Sequence, residues 1–586
     1  MIKLFKYLNK SDYLIILASI IMIVAGIWLD LKLPDYMSNI TRLIQTEGSH
    51  IKEILTEGGY MLLCALGSLL SAIAVGYLQT LLSANFSLTI RQKVFEKVQS
   101  FSMNEIKKFS TSSLITRTTN DVTQVEMFLA MGLQLLIKSP IMAVCAILKI
   151  LDKSLEWSLL TGYCVIVLLA TVITLILVVF PRFKIVQRLI DNINNVTREN
   201  LTGIRVIRAF NAEKFEQNRF EKINNDLTNT QLFNQRCFAI LNPVMNLVMH
   251  GQTVGVAIIG AILIEQAGMI DKITLFSNMV VFTSYGMQVI MSFLMLAMIF
   301  MILPRAQVSA NRINEVLDEE LSIIDGKFNK ETTETGTVEF KNVSFKYPDA
   351  DEYILKNISF KVNKGETIAF IGSTGSGKST LVNLVLRFYD VTEGEILVDG
   401  INVKEYQQEV LNNKIGYIPQ KSVMFTGTVN ENISYGFNGK DKPTEDKIKE
   451  SIEVAQGKDF VESMDKKYES HIARGGPNIS GGQKQRLSIA RAIARDPEIY
   501  IFDDSFSALD YKTDVTLRKS LKKYTKDATS MIVAQRIGTI INADKIVVLE
   551  KGECVGIGTH KELLKTCESY NEIASSQLSE EELTNA

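Results

Sequence analysis

The chain has 586 residues, 63 of them basic and 64 acidic, for a formal net charge of −1, and 47% of it is hydrophobic. It is too long and too apolar for one soluble domain, and its near-neutral charge gives no general reason to expect nucleic acid as a partner. Six cysteines and four histidines are scattered without metal-ligand spacing, so the thiols read as reduced packing groups and no histidine–cysteine metal site is expected.

Six apolar runs lie near 13–33, 59–83, 131–151, 157–180, 239–265 and 274–303. Each has roughly the 20 residues needed to cross about 30 Å of hydrocarbon. The first reads as a membrane span, since no small-residue cleavage pattern follows it. The connections 84–130 and 181–238 are long, polar and helix-patterned, whereas 152–156 and 266–273 are very short. The longer one carries Arg182, Lys184, Arg188, Arg198, Arg205, Arg208, Lys214, Arg219, Lys222 and Arg236, and the other carries Arg91, Lys93, Lys97, Lys107, Lys108 and Arg117. The positive-inside tendency therefore places both, and the N-terminus, in the cytoplasm. Six spans then leave the C-terminal half on the same side. The stretches "FSTSSLITRTTNDV" (109–122) and "RVIRAFNAEKFE" (205–216) are expected at the tips of helical hairpins that leave the bilayer.

Ionisable groups within spans face protein or water, because lipid exposure is costly. Asp30 and Lys32 fit either an outer interface or the interior, and Lys138 and His250 fit either a polar cavity or satisfied packing. Met245, Met249, Met287, Met291, Met295 and Met298 read as ordinary packing or as an adaptable substrate surface.

Residues 304–335 are polar and rich in Glu, Lys and Thr, a linker between a membrane domain (1–303) and a second domain (336–586). There "GTVEFKNVSFKYP" alternates like short strands, and "ETIAFIGSTGSGKSTLVNLVLRFY" reads strand, glycine-rich turn, helix. Gly372, Gly375, Gly377, Lys378 and Ser379 have phosphate-loop spacing, with Ser373, Thr374, Ser376 and Thr380 completing the segment. Backbone N–H groups at such a helix start wrap phosphate oxygens, Lys378 reaches the terminal phosphates, and the Ser379 hydroxyl ligates Mg²⁺. "EIYIFDD" (498–504) brings Asp503 to a strand end as the second Mg²⁺ element.

With these pieces, "ISGGQKQRLSIARAIARDP" (479–497) resembles the signature segment of ATP-binding cassette (ABC) proteins, through Ser480, Gly481, Gly482 and Gln483. "IGYIPQ" resembles their Q-loop and ends at Gln420, which the resemblance adds to the Mg²⁺ set. Tyr347 resembles the aromatic residue that stacks on adenine. "SALD" (507–510) resembles the D-loop, ending at Asp510, and the switch loop falls at "IVAQRIGTI". The whole chain resembles a half-size ABC exporter: a six-span α-helical membrane domain followed by an α/β P-loop cassette. The resemblance implies ATP and Mg²⁺ as cofactors, a bacterial plasma-membrane location and an amphiphilic, drug-like cargo. It also implies a second half-transporter as partner, with ATP between one chain's P-loop and the other's signature. Coupling helices are expected near 110–120 and 208–216.

Two positions depart from the hydrolytic pattern: Asp504 stands where a Glu is usual, and Gln535 where the switch loop carries His. Before the signature, Ala473 and Arg474 replace a common Gly-Glu pair. Shortening the carboxylate withdraws its oxygens by roughly an ångström, enough to cost about a hundredfold in rate. Gln535 still donates a hydrogen bond but carries no proton or charge. The expectation is a subunit of a heterodimeric exporter whose own site binds ATP and hydrolyses it poorly. A homodimer with two working sites and an ATP-gated channel or sensor are the rival readings.

Overall fold

Each apolar run becomes the middle of a long helix. In a computed structural model that describes residues 1–46, 50–151, 155–330, 332–436 and 441–578, the N-terminal helices are α1 (Lys10–Gln45), α2 (Ile51–Gln99), α3 (Met103–Phe109), α4 (Thr111–Thr118), α5 (Asn120–Met127), α6 (Leu133–Leu151), α7 (Leu155–Ala209), α8 (Glu213–Ala239), α9 (Leu241–Gln266) and α10 (Met269–Leu317). A π-helical stretch, Phe128–Gly132, joins α5 to α6. Among the described residues six stretches are long and apolar enough to cross a membrane: Lys10–Gln45, Ile51–Gln99, Thr111–Leu151, Leu155–Ala209, Glu213–Gln266 and Asp271–Leu296. The short connection expected at 152–156 lies largely outside the described residues. The chain divides into two units, residues 1–99 with 111–319 and residues 100–110 with 320–586.

Within the first unit, α2 turns Leu62, Leu66, Leu69 and Ile73 outward, as a helix does when its surroundings are hydrocarbon and only its backbone must be satisfied internally. Its interior includes the fully buried Trp157, whose ring lies 5.4 Å from that of Phe282 and whose indole N–H donates to the Val256 carbonyl. Among the described residues two intramembrane ion pairs occur. Lys138 Nζ lies 3.6 Å from Asp30, which also accepts from Ser68 Oγ. Lys149 Nζ lies 2.8 Å from Asp35, which accepts from Tyr285 OH at 2.7 Å. Lys138 is thus ion-paired with 30% of its side chain exposed, His250 is exposed, and Met245 lines a small apolar pocket with Leu168, Val172, Ile290 and Phe293.

Part of the segment read as a linker is helical. α10 continues to Leu317 because Ala306, Ala310, Ile313 and Val316 recur at helical spacing and are all buried.

The second unit is built on sheets. Its strands are β1 (Val338–Phe345), β2 (Leu355–Val362), β3 (Thr367–Gly372), β4 (Glu393–Val398), β5 (Ile401–Asn402), β6 (Ile415–Ile418), β7 (Gly427–Thr428), β8 (His471–Ile472), β9 (Ile499–Asp503), β10 (Thr529–Val533), β11 (Lys545–Glu550) and β12 (Glu553–Gly558). Their helices are α11 (Lys378–Val385), α12 (Gln408–Lys414), α13 (Val429–Ile433), α14 (Glu445–Val454), α15 (Lys458–Glu462), α16 (Gly481–Ala494), α17 (Tyr511–Tyr524), α18 (Ile537–Ile540), α19 (His560–Thr566) and α20 (Glu568–Ser575). The main sheet runs β12-β11-β3-β10-β9-β6, parallel except for the edge strand β12. β9 is buried along its whole length, as strands covered on both faces are. A second sheet, β2-β1-β4-β5, is antiparallel.

The short helix α3 belongs to this unit although it is encoded within the first long loop. Glu105, 3% exposed, accepts from the backbone N–H of Ser102 at 2.7 Å, closing the helix's capping box, and from that of Ser322 at 3.1 Å. Burial opposes ionisation of Glu105, but these bonds outweigh it and hold the carboxyl below its ordinary range. The element of this loop that folds with the strands is therefore 103–109, upstream of the tip expected at 110–120. Ser110, at φ +59°, ends it, and α4 and α5 belong to the first unit.

Candidate functional site

β3 delivers the chain into the glycine-rich turn, and two of its glycines are required by space. A Cβ on Gly372 (φ +153°) would lie 2.0 Å from the Leu549 carbonyl oxygen, and one on Gly377 (φ +96°) 2.6 Å from Leu355 Cδ2. Helix α11 starts at Lys378. That residue is 9% exposed, and its ammonium donates to the carbonyls of Gly372 at 2.8 Å and Ser373 at 2.7 Å, with Ser376 Oγ at 3.4 Å. Burial lowers its pKa, and Asp504 and Asp503 oppose the shift. Thr380 Oγ1 lies 3.0 Å from Tyr347 OH, which ties the aromatic residue to the helix after the turn. Ser373, Thr374 and Gly375 form the exposed lip of the turn.

The parallel pairing of β10 with β9 and β3 brings the remaining groups to one end of the sheet. Ser379 Oγ donates to Asp503 Oδ1 at 2.7 Å. Asp504 stands at φ +47° with its N–H on the Val533 carbonyl, in the left-handed region that Asp tolerates better than most residues. Its Oδ2 accepts from Gln535 Nε2 at 2.8 Å and from Gln420 Nε2 at 3.2 Å. Burial pushes the Asp504 pKa up, against the Gln420 bond and the Lys378 charge. Burial also raises Asp503, with the Asp504 charge adding to it, while the Ser379 bond and Lys378 oppose. The Asp503 carboxyl and the Ser379 hydroxyl bonded to it form a hard-oxygen donor pair suited to a divalent cation such as Mg²⁺.

A second group of expected residues gathers elsewhere in the unit. Ser480 caps α16, its Oγ accepting the Gln483 N–H at 3.3 Å while its own N–H donates to Gln483 Oε1 at 2.8 Å. Gly481 has open space around its Cα, and a Cβ on Gly482 would meet the Ala508 carbonyl at 3.3 Å. Asp510 caps α17 through the Thr513 N–H at 2.9 Å, and that bond holds its carboxyl below the usual range. The structure thus bonds Ser379 to Asp503 and both Gln420 and Gln535 to Asp504, while Lys378 bonds within the turn and Tyr347 is joined through Thr380. Among the described residues no hydrogen bond or ion pair links that group to Ser480–Gln483.

Two contacts escaped the sequence reading. Lys107 on α3 places Nζ 5.6 Å from the centroid of Tyr347 and 3.8 Å from Asp349. The side chain of Gln577, beyond α20, bonds the backbone on both sides of Arg536. Neither has a local motif, because each partner is far away in the chain.

Comparison with known proteins agrees with this arrangement. The family model described as ABC transporter matches residues 355–507, and that described as ABC transporter transmembrane region matches residues 14–310. An uncharacterized ABC transporter ATP-binding protein of Mycobacterium tuberculosis is 40% identical over 89% of this chain and 87% of its own length. The Bacillus subtilis protein YgaD, provisionally named a multidrug export ATP-binding/permease protein, is 33% identical over 83% of each chain. A bacterial Atm1-family ABC exporter solved with ATP bound aligns with TM-score 0.81 at 24% identity, covering 98% of this chain and 100% of that one.

Proposed function

Since the chain belongs to the ABC transporter family as a half-size exporter, a transport ATPase that binds ATP, we propose that it is the slow-site subunit of a heterodimeric bacterial exporter. Half-size ABC transporters normally work as dimers. The separation of the P-loop group from Ser480–Gln483 supports a sandwich in which each group faces the other chain's complement. The observation that carries the reading is at Asp504: both nearby amides, Gln420 and Gln535, donate to the same carboxylate oxygen.

In this reading the turn's backbone N–H groups and Lys378 bind the β- and γ-phosphates, and Tyr347 stacks the adenine. Ser379, Asp503 and Gln420 would hold Mg²⁺, whose charge neutralises phosphate oxygens. Asp504 is the group available to orient water, yet it is a methylene short and is drawn toward two amides. Gln535 donates a hydrogen bond but cannot shuttle a proton. Binding is therefore retained and hydrolysis is slow, while Ser480–Gln483 and Asp510 complete the partner's faster site. The cassette faces the cytoplasm of a bacterial cell. The cargo is an amphiphilic small molecule, in keeping with the multidrug export in the name of the Bacillus subtilis relative.

Steady-state ATP hydrolysis by the full chain in lipid nanodiscs, beside Lys378→Ala, tests this. ATP binding with turnover far below the common enzyme value of about 10 s⁻¹ is expected. Turnover near that value from the chain alone would establish a homodimer with two working sites instead.

A further inference from the structure

The switch loop is bracketed by the C-terminal end of the chain. Gln577 Oε1 accepts the Ile537 N–H at 2.8 Å, and Gln577 Nε2 donates to the Gln535 carbonyl at 2.9 Å. One amide thus satisfies a donor and an acceptor two residues apart. Ile537 is the first residue of α18, and the N–H at such a position has no partner within its own helix. The orientation of the amide is set by this pairing, since a flip would oppose two carbonyls and two N–H groups.

The bracket has a firm base. Gln577 N–H and Leu578 N–H both donate to the Ala574 carbonyl, at 3.0 and 2.9 Å. Tyr570 and Ala574 of α20 are fully buried, in one cluster with Ile537, Ile540 and Ile371, and Leu578 packs against it. From the bracketed backbone the Gln535 side chain reaches Asp504 at 2.8 Å.

We propose that Gln577 is a positioning residue for the nucleotide site, fixing the switch loop so that Gln535 stays on Asp504 and ties ATP dwell time to the C-terminal helix. It rests on the proposed function only in placing Gln535 at the bound nucleotide.

The test is the dissociation rate of a fluorescent, non-hydrolysable ATP analogue from the full chain in nanodiscs with Mg²⁺. Hydrogen exchange at the Ile537 amide is followed in parallel. Gln577→Met removes both bonds, and Gln577→Glu turns a carboxylate oxygen against the Gln535 carbonyl. Gln577→Met is expected to speed release and Ile537 exchange about tenfold, within the range of two modest hydrogen bonds, whereas Gln577→Glu keeps an acceptor for the Ile537 N–H and should speed release with little change in Ile537 exchange. In a Gln535→Ala background Gln577→Met should still speed Ile537 exchange, but neither substitution should change release, because no side chain remains to position. Equal acceleration in both backgrounds would mean a merely structural role and overturn the proposal, as would no acceleration in either. Gln577→Glu is read if Gln577→Met fails to assemble. Because the analogue is not hydrolysed, the result is independent of how fast the unaltered chain turns over ATP.

Discussion

Asp504→Glu is the perturbation that most directly probes the proposed slow site. Asp504 is 9% exposed, and its carboxylate engages Gln535 and Gln420 through one oxygen, at 2.8 and 3.2 Å. One added methylene advances the oxygens by roughly an ångström, and misplacement on that scale is worth about a hundredfold in rate, or about 2.7 kcal/mol in the barrier. Phosphate release by the full chain in nanodiscs should therefore rise by about 10- to 100-fold, and further when Gln535→His is added. Lys378→Ala should abolish it in every background. The extra volume enters a buried site and costs about 1–3 kcal/mol in stability, so thermal unfolding is measured alongside. If Asp504→Glu folds, binds ATP and hydrolyses no faster than the unaltered chain, then carboxylate reach is not what limits this site and the reasoning fails.

Two further predictions concern the cassette. Gly372→Ala sets a Cβ 2.0 Å from the Leu549 carbonyl at positive φ, and should destabilise by about 3 kcal/mol, read as a lowered unfolding midpoint and lost ATP binding. Glu105→Gln keeps the shape, but its single amide oxygen can accept from only one of the Ser102 and Ser322 N–H groups, and its NH2 opposes the other. Because the folded carboxyl has a lowered pKa, its stabilisation is present above the unfolded value near 4.5 and lost as pH falls through the folded one. The unfolding temperatures of the two proteins should differ most at neutral pH and converge in acid.

What could be read from the chain depended on how local the controlling physics is. The six spans were legible because a bilayer sets a minimum apolar length. The turn at 372–379 was legible because phosphate wrapping demands glycines at fixed spacing. The overrun of α10 to Leu317 was not, since Ala306, Ala310, Ile313 and Val316 alternate with polar and charged residues such as Arg305, Gln307, Ser309, Asn311 and Arg312. The pairing of Lys138 with Asp30, the assignment of α3 to the second unit and the Gln577 bracket were also hidden. Each depends on a partner at least 40 residues away that no periodicity announces.

The Glu105–Ser322 bond spans 217 residues, and this has a consequence during synthesis. At roughly 5–20 residues per second, about 10–45 s separate the emergence of Glu105 from that of its partner. Throughout that interval a carboxylate destined for burial, and the neighbouring Phe101, must wait beside a growing membrane domain. The cassette is thus a discontinuous folding unit. Its final closure is timed by the ribosome, and a cassette produced without residues 100–110 would lack one of its own pieces.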